Sequence, residues 1–314
     1  MTAALPLSIA EADDVLAGLR AVPKRLPCRL LYDARGAELF EEITGLPEYY
    51  VTRSELALLA AHLPEIAEVV GPAARVIEPG SGAGRKIRML LDALERPAAY
   101  VPIDVSREQL VGNARALRAE YPGLAVTPVG GDFTRPLALP PPAATVERSL
   151  VFFPGSTIGN FEPAAARSFL ARFRSYAGPR SMLLLGVDGN RDPVTLVPAY
   201  DDAAGVTAAF NRNVLAHVNR THRATFELDW FAHRAVWSAR HSRIEMHLIS
   251  LHSQAVRVAG ETIRFAAGEP IITEHCYKHA PDVVASLLAS AGWRVADMFP
   301  DALGRVRLWL ASAA

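Results

Sequence analysis

The sequence has few of the features that would assign it at a glance. It holds two cysteines, Cys28 and Cys276, far apart, with no CxxC pair and no cysteine/histidine alternation at ligand spacing. That excludes a disulfide framework and a structural zinc site. Neither charge sign is in surplus: Lys plus Arg number 33, Asp plus Glu number 33, and the net charge is zero. No general attraction to nucleic acid or to an anionic membrane follows from such a balance. The longest apolar runs, 149–154 and 182–187, have strand length and fall far short of the roughly 20 residues that cross a bilayer. The first ten residues lack the basic flank of a secretory leader, and Glu11, Asp13 and Asp14 follow at once. Repeats and low-complexity linkers are missing too, apart from a short proline-rich step at 139–144. The expectation is a cytoplasmic globular protein with no nucleic-acid or membrane partner, whose 314 residues fill one large core or two modest ones.

What is present is an alternation of strands and helices. Residues 75–79 form an apolar strand that ends in Gly80-Ser81-Gly82-Ala83-Gly84, and 86–94 carry Ile87, Leu90, Leu91 and Leu94 at helical spacing. A second strand, 99–105, holds Asp104 near its end, and a helix follows from Ser106, an N-cap with Gln109 three residues on. Further strands are expected at 124–129, closed by Gly130-Gly131-Asp132-Phe133, at 149–153, closed by Gly155-Ser156-Thr157-Ile158-Gly159-Asn160, and at 182–187. Such alternation implies an α/β fold with a mostly parallel sheet covered by helices. After Asp192 the rhythm changes. A long helix is expected over 198–219, strands over 225–252, a hairpin around Gly260, and a helix over 281–291. Strands 293–298 and 306–310 then supply an antiparallel closing pair for the first sheet. The sheet domain is expected at 56–189 and 278–314, and a smaller α+β domain at 1–55 and 190–277.

The loop Gly80-Ser81-Gly82-Ala83-Gly84 lies between a strand and a helix, where glycines admit a cofactor close to the backbone. On its own it could be a tight turn. Asp104, at the end of the next strand, is placed to accept ribose hydroxyls, although a lone carboxylate there could equally cap a helix. Asp132, with Phe133 behind it, could read an adenine amino group while the ring packs on the base. Together they match S-adenosylmethionine binding in the Rossmann-like methyltransferase fold. NAD dehydrogenases share the first two features but usually lack the Gly-Asp-Phe step and the antiparallel closing strand. Lys86, in the first turn after the loop, is either a solvated lysine or the partner of the donor's carboxylate.

The flanking segments are more specific. Leu31-Tyr32-Asp33-Ala34-Arg35-Gly36-Ala37-Glu38-Leu39-Phe40 and Leu46-Pro47-Glu48-Tyr49-Tyr50-Val51-Thr52-Arg53 closely resemble the N-terminal signature of the histidine-specific Nα-methyltransferases of ergothioneine biosynthesis. Blocks around Tyr100–Ser106, Gly155–Asn160, Ala199–Asn213, Ile244-Glu245-Met246 and Glu274-His275-Cys276-Tyr277-Lys278 resemble that family in the same order. The resemblance implies three successive methyl transfers from S-adenosylmethionine to the α-amino group of L-histidine, through mono- and dimethyl intermediates, to hercynine, with no metal. It implies that Gly80, Lys86, Asp104, Asp132 and Phe133 hold the donor. Tyr49, Gly155, Asn160 and Tyr200 would hold the amino-acid head group, Glu274 and Cys276 would read the imidazole, and Tyr32, Phe40 and Met246 would line the site. It also implies a monomer.

The chemistry suits these residue types. Methyl transfer is an in-line displacement, so the catalyst chiefly aims a neutral amine at the methyl carbon. Asn160 offers donors and an acceptor, and the tyrosine hydroxyls of Tyr32 and Tyr49 can hydrogen-bond near the amine and take part in its deprotonation. Each has a plainer alternative: the tyrosines and Met246 as packing, Asn160 as the cap of the helix from Pro163, Glu274 as a strand-edge acid. The family's usual Glu-x-Ser pair stands here as Glu274-His275-Cys276, which places more of the imidazole recognition on Glu274 because a thiol bonds weakly. Two other readings stay open at this point: a relative acting on another aromatic or basic amino acid, and a non-catalytic S-adenosylmethionine sensor. Of the nine histidines, His275 and His279 are four apart across an expected strand-to-helix boundary, and no shared metal is expected.

Overall fold

Apolar runs without polar alternation become the inner strands of one sheet. The computed structural model describes residues 9–82, 84–143 and 146–314. Residues 1–8, Ala83 of the glycine loop, Ala144 at the end of the proline-rich step, and Thr145 lie outside them. Strands Ala74–Pro79, Ala99–Asp104, Arg148–Phe153 and Met182–Asp188 run parallel, with Val76 opposite Tyr100, Ile77 opposite Val151, and Val151 opposite Leu183. Val306–Ala313 adds antiparallel to Met182–Asp188, and Trp293–Pro300 adds antiparallel beyond it, with a bulge between Val295 and Asp297. Across the sheet the order is 293–300, 306–313, 182–188, 148–153, 74–79, 99–104, then the short outer strand 125–126. This is the mostly parallel sheet with an antiparallel closing pair that the sequence predicts.

Strand alternation explains the burial on both sides. Ile77, Val101, Ile103, Val151, Phe153, Leu183, Leu185, Trp309 and Ala311 share one face with Phe169, Leu170 and Phe173 of helix Pro163–Ala177 and Val284 and Leu288 of helix Pro281–Ser290. On the other face Val76, Tyr100, Leu150, Phe152 and Leu184 are buried, and helix Tyr50–Val70 packs on strands 182–188 and 306–313.

Two sequence expectations are corrected. The strand expected at 124–129 is two short pieces, Ala125–Val126 and Val129–Gly130, each paired with 99–104. Pro128 lies between them and has no N–H to donate to a ladder. The helix expected at 198–219 is two helices, Pro193–Tyr200 and Val206–His222. Asp202 accepts from the Val206 and Thr207 amides at 3.0 and 2.7 Å, and Gly205 takes φ +75°, so the chain stops and restarts its helix there.

The chain forms two compact units, 50–191 with 277–314, and 1–49 with 192–276. The changeovers fall at 49/50, 191/192 and 276/277, against 55/56, 189/190 and 277/278 in the sequence reading; the first moves because helix Tyr50–Val70, which packs on the large sheet and on helix Arg85–Ala93, belongs whole to the larger unit. The smaller unit has a four-stranded sheet in the order 24–25, 270–277, 243–250, 231–238, and the hairpin Gln254–Val258 with Glu261–Phe265 turning through Ala259 and Gly260. Its helix Ala34–Thr44 opens on Asp33, whose carboxylate accepts from the Gly36 amide at 2.8 Å and from Asn213 Nδ2 at 2.6 Å. Gly36 is required: a Cβ there would stand 1.7 Å from the Leu31 carbonyl oxygen. Among the described residues, no helix is long and apolar enough to cross a membrane.

Burial opposes ionisation of Asp202, but the bonds from Thr207 and Val206 outweigh it and hold the carboxyl below its ordinary 3.8. Its stabilising effect is therefore present above that value and lost as pH falls through the folded pKa. Asp202→Ala should cost about 1 kcal/mol at neutral pH, read from the denaturant midpoint, and the deficit should shrink in acid.

Candidate active site

The carboxyl ends of the parallel strands collect the first group of residues, as open α/β sheets do. Gly80, Gly82 and Gly84 all adopt positive φ, +71°, +48° and +79°, which only glycine takes without strain. Asp104 closes the turn: Oδ2 accepts from the Gly82 amide at 3.3 Å and Oδ1 from the Ser106 amide at 2.9 Å. The helix after it, Arg107–Glu120, has Ser106 at its N-cap as expected, but the Ser106 side chain makes no capping bond; its amide donates to the Asp104 carboxylate. Asn113 secures the loop from that helix by donating to the Gly82 carbonyl at 2.5 Å.

Asp132 is hydrogen-bonded through one oxygen and ion-paired through the other. Its Oδ1 accepts from the Thr134 amide and hydroxyl at 2.9 and 2.6 Å. Its Oδ2 is buried without a hydrogen-bond partner, and Arg135 Nε stands 3.6 Å away. Phe133 packs edge-on to Phe153 and Phe169, and a Cβ at Gly80 would meet its ring at 3.3 Å. An acceptor oxygen without a hydrogen bond, an aromatic ring, and a glycine that lets this ring approach the loop backbone fit an adenine. Beneath the loop, Glu78 is fully buried and takes a hydrogen bond from the Tyr100 hydroxyl. Burial pushes its pKa up to about 8, against the opposing effects of Tyr100 and Lys86.

Lys86 has a partner that the sequence did not disclose. Its Nζ lies 2.5 Å from Glu55 Oε2, on a carboxylate with no solvent exposure. The same carboxylate accepts from the Gly155 amide, at 2.7 Å to Oε1 and 2.9 Å to Oε2. Gly155 takes φ +82° and Ser156 +56°, and the turn Thr157–Asn160 follows. Helix Pro163–Ala177 begins with Glu162 at its N-cap position, so Asn160 is not its cap. At the next strand end, Ser156 Oγ accepts from the Asp188 amide at 2.9 Å, and a Cβ on Gly189 would stand 2.7 Å from the His279 carbonyl oxygen.

The second group lies in the smaller unit and is aromatic. Tyr32 meets Phe40 at 5.6 Å between ring centroids and Phe210 at 5.5 Å; Phe40 meets Tyr49 at 6.2 Å; Tyr49 meets Tyr200 at 6.1 Å. All four contacts are edge-on, a favoured arrangement for aromatic pairs. The Tyr200 hydroxyl donates to Cys276 Sγ at 3.2 Å. Glu274 and Cys276 are two apart on strand Pro270–Tyr277 and therefore share a face. Burial first, then the charge of Glu274, pushes the Tyr32 hydroxyl well above its ordinary pKa, so it stays protonated. Met246 is buried in the neighbouring strand Arg243–Ser250, and its carbonyl accepts from Thr273 Oγ1 at 3.0 Å. Phe210 was not singled out as a site residue, because on helix Val206–His222 it falls on the apolar face and looks like core. Among the described residues, no group of three or more His, Cys, Asp or Glu could hold a metal ion.

Comparison with known proteins adds to this geometry. The model of the family described as "Histidine-specific methyltransferase, SAM-dependent" matches residues 11–313. A histidine N-alpha-methyltransferase of Mycolicibacterium smegmatis is 47% identical over 97% of this chain and 96% of its own. One of Mycobacterium tuberculosis is 43% identical over 95% of this chain and 94% of its own. Ergothioneine biosynthesis protein 1 of Neurospora crassa is 36% identical over 66% of this chain and 24% of its own.

Glu78 offers a pH test of the glycine-loop geometry. Between its ordinary 4.5 and about 8, the unfolded chain has released this proton and the folded chain keeps it, so the group makes stability fall as pH rises through that window. Glu78→Gln does not titrate. Its melting temperature, followed from acid to pH 8, should decline less steeply than that of the wild type, and parallel curves would contradict the assignment.

Proposed function

The chain belongs to the histidine-specific, S-adenosylmethionine-dependent methyltransferase family, and we propose that it methylates the α-amino nitrogen of L-histidine three times to give hercynine for ergothioneine synthesis. The observation that carries this reading is the likeness, over nearly the full length of both chains, to the two mycobacterial histidine N-alpha-methyltransferases. The residues described above provide the means.

The donor, when bound, supplies an electrophilic methyl carbon on a sulfonium sulfur that leaves as a neutral thioether. On this reading Asp104 accepts the ribose hydroxyls, Asp132 Oδ2 accepts from the adenine amino group, Phe133 lies against the base, Gly80 gives it room, and Lys86 takes the donor's carboxylate. Tyr49, Tyr200, Gly155 and Asn160 hold the amino-acid head group. Glu274 accepts from the imidazole N–H, and Cys276, already engaged by Tyr200, sits beside it as the weaker contact.

Tyr32 enters as a neutral phenol that orients the amine lone pair, since burial keeps its proton in place. The amine must lose a proton before each of the three transfers, counting the zwitterion's own, and Tyr49 is the hydroxyl we assign to pass it outward. The rings of Tyr32, Phe40 and Phe210 favour the product as its nitrogen becomes permanently cationic, by about 0.5–2 kcal/mol. Met246 packs against the imidazole. We further propose a cytoplasmic monomer that uses no metal; the balanced charge supports only the part of this reading that leaves out nucleic-acid and anionic-membrane partners.

The test is to incubate the purified protein with S-adenosylmethionine and each of the twenty amino acids and read the products by mass. Histidine alone should gain up to three methyl groups. Methylation of another amino acid instead would overturn the substrate assignment, and no product at all would leave a donor-binding sensor. Glu274→Ala should raise the histidine KM roughly tenfold or more while leaving the dissociation constant of S-adenosylhomocysteine near wild type, and Asp104→Ala should do the reverse. Cys276→Ser should retain or improve turnover, measured as kcat/KM for histidine.

A further inference from the structure

Glu55 is the acid for which neither the sequence pattern nor the family reading provides a role, and the fold goes to some length to place it. It lies on helix Tyr50–Val70 with no side-chain exposure. A carboxylate so buried costs several kcal/mol unless its oxygens are satisfied. Both are: Lys86 Nζ at 2.5 Å and the Gly155 amide at 2.7 and 2.9 Å. The space comes from Gly186, in the middle of strand Met182–Asp188, where a Cβ would stand 1.8 Å from Glu55 Oε1. Glycine weakens a strand interior, and its use there marks a close approach that the fold requires.

The two groups that Glu55 holds belong to different tasks. Lys86 opens the helix after the glycine loop, and the Gly155 amide starts the loop that ends in Asn160. Gly155 itself needs positive φ, +82°, and a Cβ there would lie 3.6 Å from Lys86 Nζ, so the lysine head and the loop backbone are neighbours around one carboxylate. We propose that Glu55 is a positioning residue, which aims Lys86 at the methyl donor and fixes the Gly155 loop for the amino acid, so that both are set by a single buried charge. This rests on the functional reading above. Glu55 acts through Lys86 and Gly155 and need not touch either reactant. A neutral side chain would release Lys86; a side chain without an acceptor would release Gly155 as well.

Two variants separate these effects. Glu55→Leu removes both interactions, and Glu55→Gln keeps an acceptor for the Gly155 amide while losing the charge that holds Lys86. The expected result for Glu55→Leu is a rise of roughly tenfold or more in both the dissociation constant of S-adenosylhomocysteine, by calorimetry, and the KM for histidine. In Glu55→Gln the histidine KM should return most of the way to wild type while the S-adenosylhomocysteine constant stays raised. A merely structural role predicts lower melting temperature and less active protein in both variants, with neither constant moved in the active fraction, and that result overturns the proposal. So does a Gln variant that restores both constants. If Glu55→Leu does not fold, Glu55→Gln decides alone: a raised S-adenosylhomocysteine constant supports the proposal and an unchanged one overturns it. A wild-type protein that binds S-adenosylhomocysteine but leaves histidine unmethylated defeats the functional reading, and the donor arm still judges the hold of Glu55 on Lys86. A wild-type protein that methylates histidine beside variants with unmoved constants defeats this proposal alone.

Discussion

The large sheet unit hangs on one carboxylate that water does not reach. Asp188 and Lys278 have no side-chain exposure and stand 2.7 Å apart, and the Tyr50 hydroxyl donates to the same oxygen at 2.7 Å. The other oxygen accepts from the Asn190 amide at 3.0 Å. Burial, and then the charge of Asp188, push the Tyr50 phenol well above its ordinary range, so it remains a donor. These three residues lie beside the three points where the chain enters or leaves the unit: Tyr50 after 49/50, Asp188 before 191/192, Lys278 after 276/277. A discontinuous unit needs its entry points held together. A buried ion pair does this with little tolerance, since loss of one partner strands the other at a cost of about 3–5 kcal/mol. The Asp188 amide also donates to Ser156 Oγ, so the strand end that carries the pair reaches the Gly155 loop.

The elements that could be read from sequence are those whose signal is local. Strands 148–153 and 182–188 carry uninterrupted apolar runs, Leu150 to Phe153 and Met182 to Leu185, and 74–79, although it includes Arg75 and Glu78, runs straight into the glycine loop. The hairpin around Gly260 has alternating residues and a turn that takes positive φ at two successive positions. The misreadings came where a single residue overrode a longer pattern. Apolar helical spacing runs on from Leu196 and Tyr200 to Phe210 and Val214, and nothing in that spacing reveals that Asp202 will cap a new helix inside it. Pro128 splits a strand that composition alone would leave whole.

The site divides in the same way. Acids at strand ends, Asp104 and Asp132, could be found because the sheet topology fixes what a strand end is for. Lys86 could be placed near the glycine loop but its partner could not, since Glu55 is 100 residues from Gly155 and sits among ordinary helix residues. The cue that existed was indirect: a glycine at 186 inside an otherwise apolar strand, asking what approaches it so closely. Phe210 was hidden for the opposite reason, because an aromatic on the apolar face of a helix is what any core contains.

The strand order has a consequence for how this protein is made. Met182–Asp188 is completed as a strand well before its antiparallel neighbour Val306–Ala313 is synthesised, and that neighbour in turn separates it from Trp293–Pro300. On a ribosome adding about 5–20 residues per second, the edge of 182–188 stays unpaired for many seconds. An apolar strand with free N–H and C=O groups is a template for pairing with the wrong chain. The interruption that supplies the smaller unit therefore lengthens the window in which the nascent sheet is vulnerable, and fast expression at high temperature is the condition under which aggregation would compete most strongly with folding.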